Sequence, residues 1–231
     1  MKTLGIIGGL GPESTLDYYR RLVAVYRRRT GDGTYPRVII NCVDLSTVVA
    51  HVTAQRHAEL AAFLVTELKK LSEAGVDVAL IAANTPHIVF DQVRAQSPLP
   101  LISIVEATCR AARARHLSRV ALFGTRFTMQ GQFYPAVFAG SGVALVVPTP
   151  DEQATIHDIY MDELVHGVVL RESHATLLLM VERMKTRHDI DGLILGGTEL
   201  SLILLETEHA GVAFLDTTTI HVEEAVELML A

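Results

Sequence analysis

Two patterns of apolar and polar positions alternate along the chain. Short uninterrupted apolar runs, such as Val78, Ala79, Leu80 and Ile81, predict strands covered on both faces. Between them, apolar residues recur at helical spacing; Leu60, Phe63, Leu64, Leu68 and Leu71 form one such stripe, and Gly75 suits its end. Read in order, the pattern predicts strands near residues 3–7, 38–43, 78–81, 101–104, 120–123, 143–147, 193–195 and 212–215. Helices are expected from about residue 12, over 60–71, from 87 to 97, after 128, as a pair over 151–187, over 200–205 and from 219 to 230. Strands that alternate with helices imply an α/β fold with parallel sheets and ligands at the carboxyl ends of the strands.

The stretch VALIAANTPH runs from a central strand into Asn84 and Thr85, and Pro86 then suits a first helical turn that Thr85 is placed to cap. GLILGGTEL repeats the plan, with Thr198 as a candidate cap followed by Glu199. Each lies about 75 residues after a strand that ends in glycine or threonine, TLGIIGGLGPEST and RVALFGTRFT, the fixed spacing of an internal duplication. Proline pairing at Pro98 and Pro100 marks the lobe boundary, so the first half ends at about residue 100. Free N–H groups at such helix starts favour a carboxylate or phosphate guest.

Gly8, Gly9 and Gly11 let the backbone approach a ligand closely, or serve a plain tight turn; their spacing fails the dinucleotide-binding fingerprint. Asp44 either reaches the cleft or caps the next segment. The groups at the strand ends, Asn84, Thr85, Thr125, Thr128, Thr198 and Thr217, are amides and hydroxyls suited to holding an anion. The charged candidates are His87, Glu199, Arg126 and Glu13, with a helix-end role for His87 and Glu199 weighed against a catalytic one.

Composition narrows this picture. At 231 residues and 49% hydrophobic, the chain is long enough for one large domain or two lobes. A net charge of −6 argues against nucleic acid, and Arg20, Arg21, Arg27, Arg28 and Arg29 read as a solvated helix face. No apolar stretch has the length of a membrane span and no signal-like preamble precedes the first strand, which suggests a cytoplasmic protein. Two cysteines, Cys42 and Cys109, give no disulfide framework and read as small buried side chains; the scattered histidines give no metal motif.

The GGLGPEST loop, the NTPH motif, GTRFTM, GTEL and DTTTIHVEEAV, in that order over nearly the whole chain, resemble the aspartate/glutamate racemase superfamily. The resemblance implies two Rossmann-like lobes related by a pseudo-twofold axis, the last helix returning to the first lobe (residues 1–100 with 217–231, the second lobe being 101–216), a homodimer, and a racemase that uses no cofactor. One cysteine from each lobe would flank the substrate α-carbon, so that one face loses a proton while the other gains one. Here those positions are Ala83 and Gly197, neither of which carries a proton, leaving His87 and Glu199 as the substitutes at hand. The ligand-binding set carried over is Gly9, Leu10, Gly11, Asn84, Thr85, Thr125, Thr198 and Glu199. The expected function is racemisation or isomerisation of an amino acid or related small carboxylic acid by α-proton transfer. A catalytically silent carboxylate-binding protein and another proton-transfer reaction on a dicarboxylic acid, such as decarboxylation, are the alternatives.

Overall fold

The apolar runs become strands and the periodic segments become helices. The computed structural model describes residues 1–231. In chain order it has β1 (Leu4–Gly8), α1 (Pro12–Thr30), β2 (Val38–Cys42), α2 (Leu45–Thr53), α3 (His57–Glu73), β3 (Val78–Ile81), a 3-10 turn at Thr85–Val89, α4 (Phe90–Gln96) and β4 (Leu101–Ile102). There follow α5 (Ile104–Ala114), β5 (Arg119–Phe123), α6 (Arg126–Gln130), α7 (Phe133–Phe138), β6 (Ala144–Val146) and α8 (Pro150–Asp158). The chain continues through a π turn (Ile159–Glu163), a 3-10 turn (Leu164–His166), α9 (Arg171–His188), β7 (Gly192–Leu195), α10 (Leu200–Ile203), β8 (Glu208–His209), β9 (Val212–Asp216) and α11 (Thr217–Leu230). It divides into two units, Met1–Ile104 with Thr218–Ala231, and Val105–Thr217. No helix is long and apolar enough to cross a membrane.

In the first unit all strands are parallel, in the order β2-β1-β3-β4. Leu4, Ile6 and Leu80 from the strands, Leu22 from α1, and Val222, Val226 and Met229 from α11 share one buried cluster, so the last helix belongs to the core of the unit that holds the first strand. Pro12 opens α1 where its missing N–H is harmless, and Gly31, at φ 64°, ends it in the left-handed conformation. Arg27, Arg28 and Arg29 occupy the last, exposed turn, where cations complement the helix dipole; Arg27 lies over the Tyr35 ring and Arg28 pairs with Glu223. Asp44 caps α2, its carboxylate accepting from the Ser46 amide at 2.9 Å.

The second unit repeats the plan with the order β6-β5-β7-β9-β8. Like β1, β5 lies between the next two strands in sequence, and a fourth strand continues the sheet on the same side in each unit, which is the strand order an internal duplication predicts. All pairings are parallel except that of β8, a two-residue antiparallel edge the hydrophobic pattern does not announce. The core is built from Phe123, Leu177, Val181, Met184, Leu193, Leu195 and Phe214 among others. The expected helix pair over 151–187 is interrupted by the π turn and a 3-10 turn, and the expected helix over 200–205 stops after one turn. Cys109 is buried, whereas Cys42 is exposed at the end of β2, contrary to the buried role read for it.

Candidate active site

At the end of β1, Gly9 has φ +77°, and a Cβ there would strike the backbone of Val43. Its amide already donates to the Thr15 hydroxyl at 2.9 Å, and Thr15 in turn donates to the Gly11 carbonyl at 3.1 Å. The tight-turn reading therefore accounts for Gly9. Leu10 and Gly11 follow in the same turn, ahead of the N-terminus of α1, and Glu13 is exposed in its first turn.

At the end of β3, Ala83 and Asn84 are buried and Thr85 is partly exposed. The helix expected after Thr85 begins as a 3-10 turn whose N-cap residue is Asn84, with no side-chain capping bond, so Thr85 does not act as the cap. His87 is 3% exposed, and both its nitrogens are engaged. Nδ1–H donates to the Ala83 carbonyl at 3.0 Å, which leaves Nε2 to accept the Ile104 amide at 3.3 Å. Its ring stacks on Phe90 with centroids 4.6 Å apart. Burial, with the nearby His221 adding to it, pushes the His87 pKa down to about 3. Through its two hydrogen bonds the His87 ring ties the turn after β3 to the start of α5.

In the second unit, Thr125 ends β5 and caps α6, its hydroxyl accepting the Thr128 amide at 3.3 Å. Arg126 is exposed and its amide donates to His157. Thr217 donates to the Leu195 carbonyl at 2.7 Å, a bond that fixes the end of β7 to the start of α11. The turns after β5 and β7 meet backbone to backbone: the Gly196 amide donates to the Phe123 carbonyl at 2.7 Å, and a Cβ on Gly124 would strike the Gly196 carbonyl.

Gly197, Thr198 and Glu199 follow. Thr198 caps nothing, because the N-cap residue of the four-residue α10 is Glu199, and Glu199 makes no side-chain capping bond. The Thr198 hydroxyl instead donates to Glu199 Oε2 at 2.9 Å. Glu199 is fully buried, and its Oε2 also accepts a hydrogen bond from the Tyr160 hydroxyl, while Oε1 has no hydrogen-bond partner. Burial raises the Glu199 pKa against the pull of these bonds. Tyr160 is pushed well above the ordinary phenol value by burial and by the Glu199 carboxyl.

Tyr160 is the neighbour of this turn that sequence reasoning missed. It comes from the π turn and lies against Gly197: a Cβ built on Gly197 would strike its ring and stand 3.1 Å from its hydroxyl oxygen. Gly197 is thus a glycine because a neighbour fills its side-chain space, and its backbone is not in the left-handed region. A glycine where a related motif has a larger residue is a sequence signal for such a filler, although it does not say which residue fills.

The Asp/Glu/hydantoin racemase family matches residues 7–225. The chain is 23% identical over 212 residues, 87% of each protein, to the broad specificity amino-acid racemase RacX of Bacillus subtilis. Among solved structures it is similar to an aspartate racemase homologue from Pyrococcus horikoshii, at 31% identity and a TM-score of 0.86, and to a Yersinia pestis protein proposed as an Asp/Glu racemase, at 28% and 0.89; each alignment covers 100% of both chains. With parallel sheets in the same order in both units and a match that spans nearly the whole sequence, the chain belongs to the Asp/Glu/hydantoin racemase family, and its class is an isomerase of the amino-acid racemase type.

Proposed function

We propose that the chain interconverts the enantiomers of a small carboxylate-bearing amino acid, aspartate or glutamate first, by moving its α-proton without a cofactor. The observation that carries this reading is the full-length similarity to the Pyrococcus horikoshii aspartate racemase homologue. By position, Leu10, Gly11, Asn84 and Thr85 are the ligand-binding groups of the first unit, and Thr125 and Thr198 those of the second. Ala83 and Gly197 mark where the family resemblance places thiols, so the proton must be carried by other groups. The proposal includes a homodimer resident in the cytoplasm, with residues 1–100 and 217–231 as one lobe and residues 101–216 as the other.

The test incubates purified protein with single enantiomers of a panel of amino acids and dicarboxylates in deuterium oxide. Chiral chromatography and mass spectrometry then follow inversion and α-deuterium. Inversion of aspartate or glutamate with deuterium uptake is the expected result. Binding of these ligands with no exchange at any α-carbon would replace the racemase reading by that of a carboxylate-binding protein.

A further inference from the structure

The end of β7 contains a pair of protic groups in the place where the resemblance puts a thiol. The Tyr160 hydroxyl oxygen is 3.1 Å from the point at which a Cβ of residue 197 would stand, so a phenol occupies the neighbourhood a cysteine sulfur would take. It donates to Glu199, whose second carboxyl oxygen is buried and unpartnered. Buried polar atoms are almost always paired, so an unpaired one calls for an explanation beyond packing. Tyr160 also lies in a π turn, a local irregularity frequent at functional sites.

We propose that the Tyr160 phenol, backed by the Glu199 carboxyl, is the proton-transfer group of the second unit and replaces the thiol missing from residue 197. The inference rests on the racemase reading. In the forward step the substrate Cα–H bond breaks and its proton passes to the phenol oxygen, while the phenol's own proton passes to Glu199 Oε2. The electron pair left on the α-carbon delocalises into the substrate carboxyl group. In the other direction the phenol gives a proton to the carbanion and recovers one from Glu199 Oε2; a proton exchanged with solvent at this pair in between enters the product. The phenol is thus neutral before and after, no oxidant is needed, and inversion takes a second proton carrier on the opposite face of the α-carbon.

The division of labour follows from the environment. A buried phenol beside a carboxylate resists becoming a phenolate, so it works as a base only if its proton has somewhere to go as the new one arrives. Glu199 is that acceptor, and burial brings its proton affinity up from the ordinary carboxylate range, in the direction general acid–base catalysis favours. Tyr160 is the catalytic residue and Glu199 acts through it.

The experiment measures α-deuterium exchange of aspartate and glutamate by the wild type, Tyr160→Phe, Glu199→Gln and Tyr134→Phe. Tyr134 is a second fully buried phenol of this unit and serves as the control. Tyr160→Phe keeps the ring over Gly197 and should lower exchange by roughly 100-fold or more with KM little changed. Glu199→Gln should lower kcat similarly and remove the carboxyl limb from the pH profile, and Tyr134→Phe should match the wild type. In Tyr160→Ala with Gly197→Cys, a thiol takes the vacated space and should restore part of the lost exchange. Exchange by Tyr160→Phe within a few-fold of the wild type would overturn the assignment while leaving the racemase reading intact. A wild type that exchanges neither probe would remove that reading first, and the assignment with it. Infrared difference spectra of the wild type against Glu199→Gln give a readout without substrate: the Glu199 carboxyl band should shift in Tyr160→Phe, and a band that does not move would overturn the pairing.

Discussion

The turns after β3 and after β7 hold matching places in two sheets of the same strand order, and they are finished in opposite ways. After β3 the one titratable ring, His87, has both nitrogens bonded to backbone and a pKa held near 3, so it fixes the turn and keeps no lone pair or proton for a ligand. After β7 the titratable pair is bonded to itself: Tyr160 and Thr198 both converge on one oxygen of Glu199, and the other oxygen has no partner. A buried ionisable group can serve structure or chemistry, and the distinction lies in whether its bonds exhaust it. The duplicated half-folds supply equivalent positions, and their buried titratable groups are bonded in different ways.

The largest test of this contrast removes the filler. Tyr160→Ala should destabilise by about 3–5 kcal/mol, as expected for deleting a buried aromatic ring, and a thermal melt would show it as a fall of several degrees. A loss below about 1 kcal/mol would mean that the ring does not fill the space beside Gly197. Gly197→Cys comes next: its Cβ would collide with the Tyr160 ring, so overpacking of about 1–3 kcal/mol is expected by urea denaturation. The collision should be relieved in the Tyr160→Ala background, making the two changes non-additive.

The pH dependence of stability should separate the two ends by sign. His87 stays neutral in the folded chain down to about pH 3 but protonates near 6.5 when unfolded, so its contribution is full above about 6.5 and lost as pH falls toward 3. The slope from this one proton is about 1.4 kcal/mol per pH unit inside that window. His87→Gln should flatten the acid limb of the urea midpoint. Glu199 has a raised pKa, so its contribution is present below its unfolded value and lost as pH rises through the folded one. Glu199→Gln should therefore gain stability, relative to the wild type, toward higher pH. Equal pH slopes for the two variants would erase the distinction. The smallest effect is expected for Ala83→Cys, within about 1 kcal/mol, because it adds a single small group to a side chain that is already there; a loss as large as that of Gly197→Cys would make the two turns alike.

The frame of the molecule was legible in the chain. Fully apolar runs marked β1, β3, β5 and β7, and the spacing of NTPH and GTEL placed the two turns at strand ends. The illegible part depends on contacts distant in sequence. Tyr160 meets Gly197 across the whole of α9 and β7, and nothing in the local pattern around DIYMDEL announces a π turn. Thr85 and Thr198 have the composition of caps, but the segments after them are a 3-10 turn and a single α turn, too short for propensity to decide their geometry. The two-residue β8 escaped for the same reason: periodicity needs more positions than it has. His87 reads from the chain as either structural or catalytic, because its two bonding partners are distant or backbone groups that the local pattern does not reveal.

The π turn has an evolutionary corollary. Such a turn is an α-helix that has accepted an extra residue, and each residue rotates the downstream chain by roughly 100° about the axis. Deleting one residue from the stretch before Tyr160 would return the helix to its ordinary pitch and swing the phenol away from Gly197. The ring and the vacancy it fills are thus separated from loss by a single codon deletion, and homologues lacking the bulge should need a side chain of their own at residue 197.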